Sequence, residues 1–277
     1  MHTNYIPAFF ALLCSYSINT PAFFTNTLTD TIASWLPLSL IAREEEQSSH
    51  EIPLSAQGTV SVSLERGNVT VETWNKEQVM LQIVKHARSA QELTALTIQI
   101  ESADESCTIK ATQPERFTAI DITIMVPRTI ATHICIQYEG NILISQATRV
   151  NNLYTAQGII TIHALQSCAI QARAEVGTIE AICELWNASS ALLLTAPRGS
   201  VSLSLPEHTA ARLDISSVKY PIHCALPITF DTVTMPLTPA AWDTLMKNIT
   251  GVLGTEETAA PITIYAYKKI TIQDIQH

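Results

Sequence analysis

The sequence predicts an all-β protein: a short single-chain β-solenoid, with strands stacked coil upon coil, an N-terminal β cap and one inserted C-terminal helix. Three observations predict it. Of 277 residues, 33 are Thr, 32 Ile and 13 Val, types that lose little in an extended strand and pack well on a pleated surface. Six of only eight glycines open one local pattern, Gly, any residue, Val or Ile, any residue, apolar residue. From Gly140 the pattern recurs at Gly158, Gly177 and Gly199, at intervals of 18, 19 and 22 residues, and self-similarity of that length marks a stacked array.

No Lys or Arg precedes Arg43, and Ile6 to Cys14 (IPAFFALLC) is a short apolar run. It has the length of a signal-peptide core and is too short for a membrane span of about 20 residues. Residues 1–18 are therefore expected to be a signal peptide, with a small-x-small cleavage site at Ser15-Tyr16-Ser17. Lipidation at Cys14 is disfavoured, because Leu13 stands where a small residue is wanted. The expected location is exported: periplasm, cell surface or exterior. Residues 19–55 read as an irregular linker, with Pro21, Pro37 and the acidic run Arg43-Glu44-Glu45-Glu46. No later segment approaches 18 uninterrupted apolar residues, so no membrane span is expected in the mature chain.

Residues 56–127 read as a β cap that hides the first open edge of the repeats. Its candidate strands are Thr59 to Leu64, Val69 to Thr73, Gln78 to His86, Leu96 to Glu101, Thr108 to Thr112 and Ala119 to Val126. Residues 128–235 carry the repeats, each a strand, a glycine turn and a second strand. The turn glycines are Gly58 and Gly67 in the cap, then Gly140, Gly158, Gly177 and Gly199. Alternation assigns inward Ile134, Ile136 and Tyr138; Ile170, Ala172 and Ala174; and Leu192, Leu194 and Ala196, ahead of the glycines. After them it assigns Ile142 and Ile144; Ile160 and Ile162; Ile179, Ala181 and Cys183; and Val201, Leu203 and Leu205. A degenerate copy, Leu213 and Ile215 then Ile222, Cys224 and Leu226, has Tyr220 or Pro221 where glycine would fall. Residues 236–258 are a helix-bearing insertion: Thr238 caps, Pro239 opens, Trp242, Leu245, Met246 and Ile249 share a face, and Gly251 ends it. Residues 259–277 hold the last copy, ITIYAYKKITI.

A net charge of -9 with scattered Lys and Arg offers no surface to a phosphate backbone, so nucleic acid is excluded as a partner. Glycoside chemistry needs two carboxylates about 5 to 10 Å apart. No Asp occurs between Asp121 and Asp214, and Glu180 and Glu184, in one strand, would lie about 13 Å apart at ~3.3 Å per residue. Cys168, Cys183 and Cys224 share parity with inward apolar residues and read as core. No metal-ligand spacing, phosphate loop, nucleophile elbow or dinucleotide fingerprint occurs, so no catalytic residue, metal site or cofactor is assigned. Outward positions, Gln137, Ser145, Thr161, His163, Gln171, Arg173, Thr195, Ser202 and Ser204, are mostly small or uncharged, which suggests a shallow polar face without a deep pocket or strong field.

From GNVTVETWNKEQVMLQI, through Val126-Pro127 and the successive Gly-Ile and Gly-Val strands, to ITIQDI, the chain resembles the bacterial putative adhesin family, a domain of unknown function built of repeated β strands. The resemblance spans about residues 56–275. It implies export to the envelope and a structural or adhesive role, with a surface glycan or protein as partner, and supplies no catalytic residues. Two other functions remain: a carbohydrate-active β-helix enzyme, lyase or hydrolase, using Asp231, Asp243, Glu256 or Glu257, and an accessory envelope-stress sensor module. If the leader is processed, the mature N-terminus falls between about residues 15 and 25. N-terminal sequencing of the protein from fractionated cells checks this, and intact Met1 in the cytoplasm contradicts it.

Overall fold

The computed structural model describes residues 44–55, 57–147, 149, 151–164, 169–187, 190–230, 246–254 and 259–275. They are nearly all strand, and the one helix among them, α1 (Ala90–Ala95), has six residues. The strands pair into two ladders. In spatial order the first ladder begins with β5 (Thr97–Ala103), β6 (Ser106–Thr112), β2 (Thr59–Arg66) and β8 (Ala131–Glu139). It continues through the first halves of β10 (Asn151–Ala164) and β11 (Ala169–Cys183), then β12 (Ala191–Ala196), β18 (Ala260–Ala266) and β14 (Ala211–Ser217). It is parallel from β6 to β14, and β17 (Asn248–Leu253) and β16 (Ile228–Phe230) close it antiparallel.

The second ladder begins with β1 (Glu44–Pro53), β4 (Gln78–Ala87) and β7 (Ala119–Pro127), all antiparallel. Parallel pairing then runs through β3 (Val69–Trp74), β9 (Ile142–Ala147), the second halves of β10 and β11, β13 (Ser200–Leu205), β19 (Ile270–Asp274) and β15 (Ile222–Cys224). Inward residues of both ladders join one apolar cluster. Every inward residue assigned above to the four regular copies is buried except Tyr138, which is 53% exposed. A register irregularity between Thr155 and Gln157, opposite Ile136 and Glu139, gives β8 one extra residue and turns Tyr138 outward.

Glycine marks the joint between the ladders. Gly158 and Gly177 are not in turns; they lie inside continuous strands, where inward parity changes from Leu153 and Thr155 to Ile160 and Ile162. At both, φ is near +150°, a conformation that L side chains rarely adopt. Space forbids a side chain as well: a Cβ on Gly158 would lie 2.1 Å from the Gly140 carbonyl oxygen, and one on Gly177 1.8 Å from that of Gly158. Gly67, Gly140 and Gly199 complete this column, Gly67 abutting the Ile120 carbonyl. Gly58 stands outside it, facing the Leu54 side chain.

Stacking order departs from sequence order at both ends. The copy at 262–272 is last in sequence, yet β18 and β19 insert between the pair β12 and β13 and the degenerate copy β14 and β15. Likewise β2 and β3 lie between β6 and β7 on one side and β8 and β9 on the other. Both ends of the first ladder and the β1 end of the second finish in antiparallel strands, whereas the second ladder's other end is the short parallel strand β15.

Two expectations fail. Over Glu44–Pro53 the expected linker is strand β1, because the acidic run finds hydrogen-bond partners on β4: Lys85 donates to Glu46 at 2.8 Å and His86 meets Glu45 at 3.2 Å. The inserted helix does not extend through Ile249 and Gly251, which belong to β17; Asn-Ile-Thr-Gly-Val-Leu buries Ile249 and Leu253 at period two. Its first part, 238–245 with Trp242 and Leu245, lies outside the described residues. Helix α1 went unread although Ser89 and Glu92 form an S-x-x-E start, with Ser89 Oγ accepting from the Glu92 N–H.

Ile162 is fully buried and Thr161 faces out between Leu143 and Glu180. Ile162→Asp should therefore cost more than about 4 kcal/mol through lost burial and an unpaired buried charge, and Thr161→Asn under about 1. Urea titration checks it; equal midpoints would refute this register.

Candidate functional site

In-register pairing lines up the outward side chains of the first ladder in rows. One row is Thr108, Ser61, His133, Asn152 and Gln171, on β6, β2, β8, β10 and β11; beside it run Lys110, Ser63, Cys135, Tyr154 and Arg173. The two serines on β2 are the smallest members, and the taller side chains around them leave an open trough of about 590 Å³. Row spacing is the inter-strand distance of about 4.8 Å, so the trough presents a small set of repeated polar groups instead of one deep pocket.

The chemistry of the trough is amide, imidazole, phenol and cation, and no carboxylate lines it. Asn152 Nδ2 and His133 Nδ1 are hydrogen-bonded at 2.8 Å. Arg173 bonds Glu175, and that hydrogen bond holds its guanidinium above its ordinary value. Burial pushes the Cys135 thiol up, the opposite of the lowered value an activated thiolate needs.

The structure places the other singled-out residues as follows. Gln137, Gln171 and Arg173 are exposed, and Ser145, Thr161, His163, Thr195 and Ser202 half-buried on outward positions; Ser204, expected outward, is buried. Glu184 meets His163 Nε2 at 2.6 Å, and Glu180 stands between Thr161 and Ser202, so the two acids do not converge on a common group. Cys107, Cys135 and Cys224 are free thiols and Cys183 is buried, whereas Cys14 and Cys168 lie outside the described residues, as do Asp231, Asp243, Glu256 and Glu257. Among the described residues no group of three or more His, Cys, Asp or Glu could hold a metal, and no helix is long and apolar enough to cross a membrane.

Beside the glycine column runs an amide chain that sequence reading missed. Asp121 Oδ1 accepts from Asn68 N and Nδ2, Asn68 Oδ1 accepts from Asn141 N and Nδ2, and Asn141 Oδ1 accepts from Ile159 N. The signal was the Gly-Asn dipeptide at 67–68 and 140–141.

No family model matches the chain, and no curated protein matches it. Among solved structures, it is similar to a putative cell adhesion protein from Clostridium sporogenes, at 12% identity over 84% of this chain and 99% of that one, TM-score 0.43. It is also similar to putative adhesins from Bacteroides fragilis, at 13% identity over 85% and 99% with TM-score 0.31, and from Parabacteroides merdae, at 7% over 83% and 97% with TM-score 0.24.

Alkylation of Cys135 should be slow at pH 7.5 beside a free cysteine peptide and still rising above pH 9, because a raised thiol keeps its proton longer. Peptide mapping after timed iodoacetamide treatment measures this. A rate that levels off below pH 8 contradicts it.

Proposed function

We propose that this is a non-enzymatic, adhesin-like interaction protein, exported to the envelope or exterior, whose outward strand face binds a surface glycan or protein. The reading takes the two ladders as a short β-solenoid, residues 128–235 and 259–277, with residues 56–127 as its β cap and 1–18 as a leader. One observation carries it: the trough aligns hydroxyl, imidazole, phenol and amide groups from five adjacent strands, a set suited to a ligand with repeating hydroxyls, and its lining contains no acid pair. The in-register parallel pairing supports the solenoid reading, and the glycine column supports a structural role for Gly67, Gly140, Gly158, Gly177 and Gly199. Single contacts on so open a surface are weak, and many copies on one envelope would add them up.

The test presents the purified full chain in multivalent form to whole cells and a glycan panel, beside Tyr154→Ala and His133→Ala. Each variant should lose about fivefold or more in apparent affinity, while its urea midpoint moves by less than the equivalent of about 1 kcal/mol. Unchanged binding by both variants would remove the trough from the account, and release of shortened polysaccharide would replace binding with catalysis.

A further inference from the structure

A second feature of the surface deepens that reading and rests on it. Three turns, residues 197–199, 267–269 and 218–221, stack at the C-terminal joint between the ladders. Backbone bonds fix their order: Lys268 N donates to Gly199 O at 2.8 Å, Tyr267 N to Ala196 O at 3.1 Å, and Lys219 N to Tyr267 O at 3.0 Å. Where the earlier joints carry the glycine column, these last two turns carry Tyr267-Lys268-Lys269 and Val218-Lys219-Tyr220. Arg198, Lys219, Lys268 and Lys269 are all exposed, and none forms an ion pair among the described residues. On a chain of net charge -9, like charges gathered on stacked turns repel one another, and four of them with no carboxylate partner among the described residues point to a ligand that supplies the negative charge.

The tyrosines say which polyanion. Tyr220 and Tyr267 are 45% and 41% exposed, and the Lys219 ammonium lies 5.4 Å from the centre of the Tyr220 ring. Tyr265, 39% exposed, pairs with Thr195 and so continues the row of Tyr154 and Arg173 from the trough toward this corner. A tyrosine face stacks on the C–H face of a sugar while its hydroxyl meets water, an arrangement that serves neither a bilayer interior nor a bare phosphate chain. We infer that this basic, tyrosine-bearing corner binds an acidic polysaccharide, one carrying carboxylates on its sugar rings, and that the polymer runs from the corner along the row toward the trough. The cations lie scattered in sequence, at 198, 219, 268 and 269, and only the reordered stacking of the last copy gathers them.

The test measures binding of the full chain to polygalacturonate and to the same polymer fully methyl-esterified, which keeps the sugars and removes the charge. The acidic polymer should bind at least about tenfold tighter and lose that advantage as salt rises from about 50 to 200 mM. Replacing Lys219→Gln, Lys268→Gln and Lys269→Gln together should cost about tenfold, because each exposed pair contributes little alone, whereas Lys76→Gln should cost nothing. Tyr267→Ser should weaken binding while leaving the salt slope unchanged. Equal binding of the esterified polymer, an unaffected triple variant, or binding of phosphatidylglycerol vesicles or duplex DNA as tight as that of polygalacturonate would overturn the inference. Binding of neutral glycans without preference would overturn it and leave the surface-binding reading standing; failure to bind any glycan would remove both.

Discussion

Each glycine carbonyl in the column occupies the place where the next glycine would carry a Cβ, at 1.6–2.1 Å from that position between Gly67 and Gly199. Main chain can pack on main chain this closely only if no side chain intervenes, because the space a Cβ needs is already filled by the neighbouring carbonyl, so the joints must be glycine for both ladders to keep their hydrogen-bond spacing through the bend. The rest follows from that approach. With the joints in register, Ile142, Ile160, Ile179 and Val201 fall one above another on the second ladder, and Ile170, Leu192 and Ile262 do so on the first. Each buried isoleucine contributes about 2 to 3 kcal/mol, and a joint displaced by one residue would turn a whole row of them to water.

How the stack ends is a separate problem with a related solution. Where the column stops, above Gly199, the next joints have no glycine, and Lys268 meets Gly199 through its backbone alone while its side chain stays exposed. The 218–221 turn stacks on 267–269 in the same way, through Val218 N to Ala266 O and Lys219 N to Tyr267 O, and both turns carry large exposed side chains. At the opposite end Gln113, buried at 2% exposed, completes the edge by side chain: its Oε1 accepts from Glu65 and Arg66 N–H and its Nε2 donates to the Arg66 carbonyl. Placing β18 and β19 between the pair β12 and β13 and the pair β14 and β15 also means that later strands fill a slot between earlier ones. Such non-local closure slows folding.

What could be read from sequence was what repeats locally. Period-two alternation located Ile160 and Ile162 and the strands between residues 59 and 126, because parity depends only on neighbouring residues. Stacking order could not be read, since Ile262-Thr-Ile fits beside Leu192 as well as beside Leu213 and nothing in a strand names its partner. Strand β1 was masked by composition: Glu44, Glu45 and Glu46 look solvated until Lys85 and His86 on β4 are placed opposite them. Ile249 was drawn into a helical face by Trp242 and Leu245, and pairing with β14 decided for strand, as tertiary contacts override a short period. The trough and the basic corner are both products of register, so neither has a motif.

The central claim is that glycine at the joints is required by close backbone approach and not merely by turn preference. Its most direct measurement is an equilibrium urea comparison of Gly158→Ala, Gly177→Ala and Gly58→Ala. The two column positions should each lose more than about 3 kcal/mol, since the methyl would overlap a backbone carbonyl at a positive φ, while Gly58→Ala, which would meet Leu54 Cγ at 2.8 Å and the Ser55 carbonyl oxygen at 3.1 Å without a positive φ, should lose less, about 1 to 2. Equal losses at all three positions, or a neutral Gly158→Ala, would contradict the account.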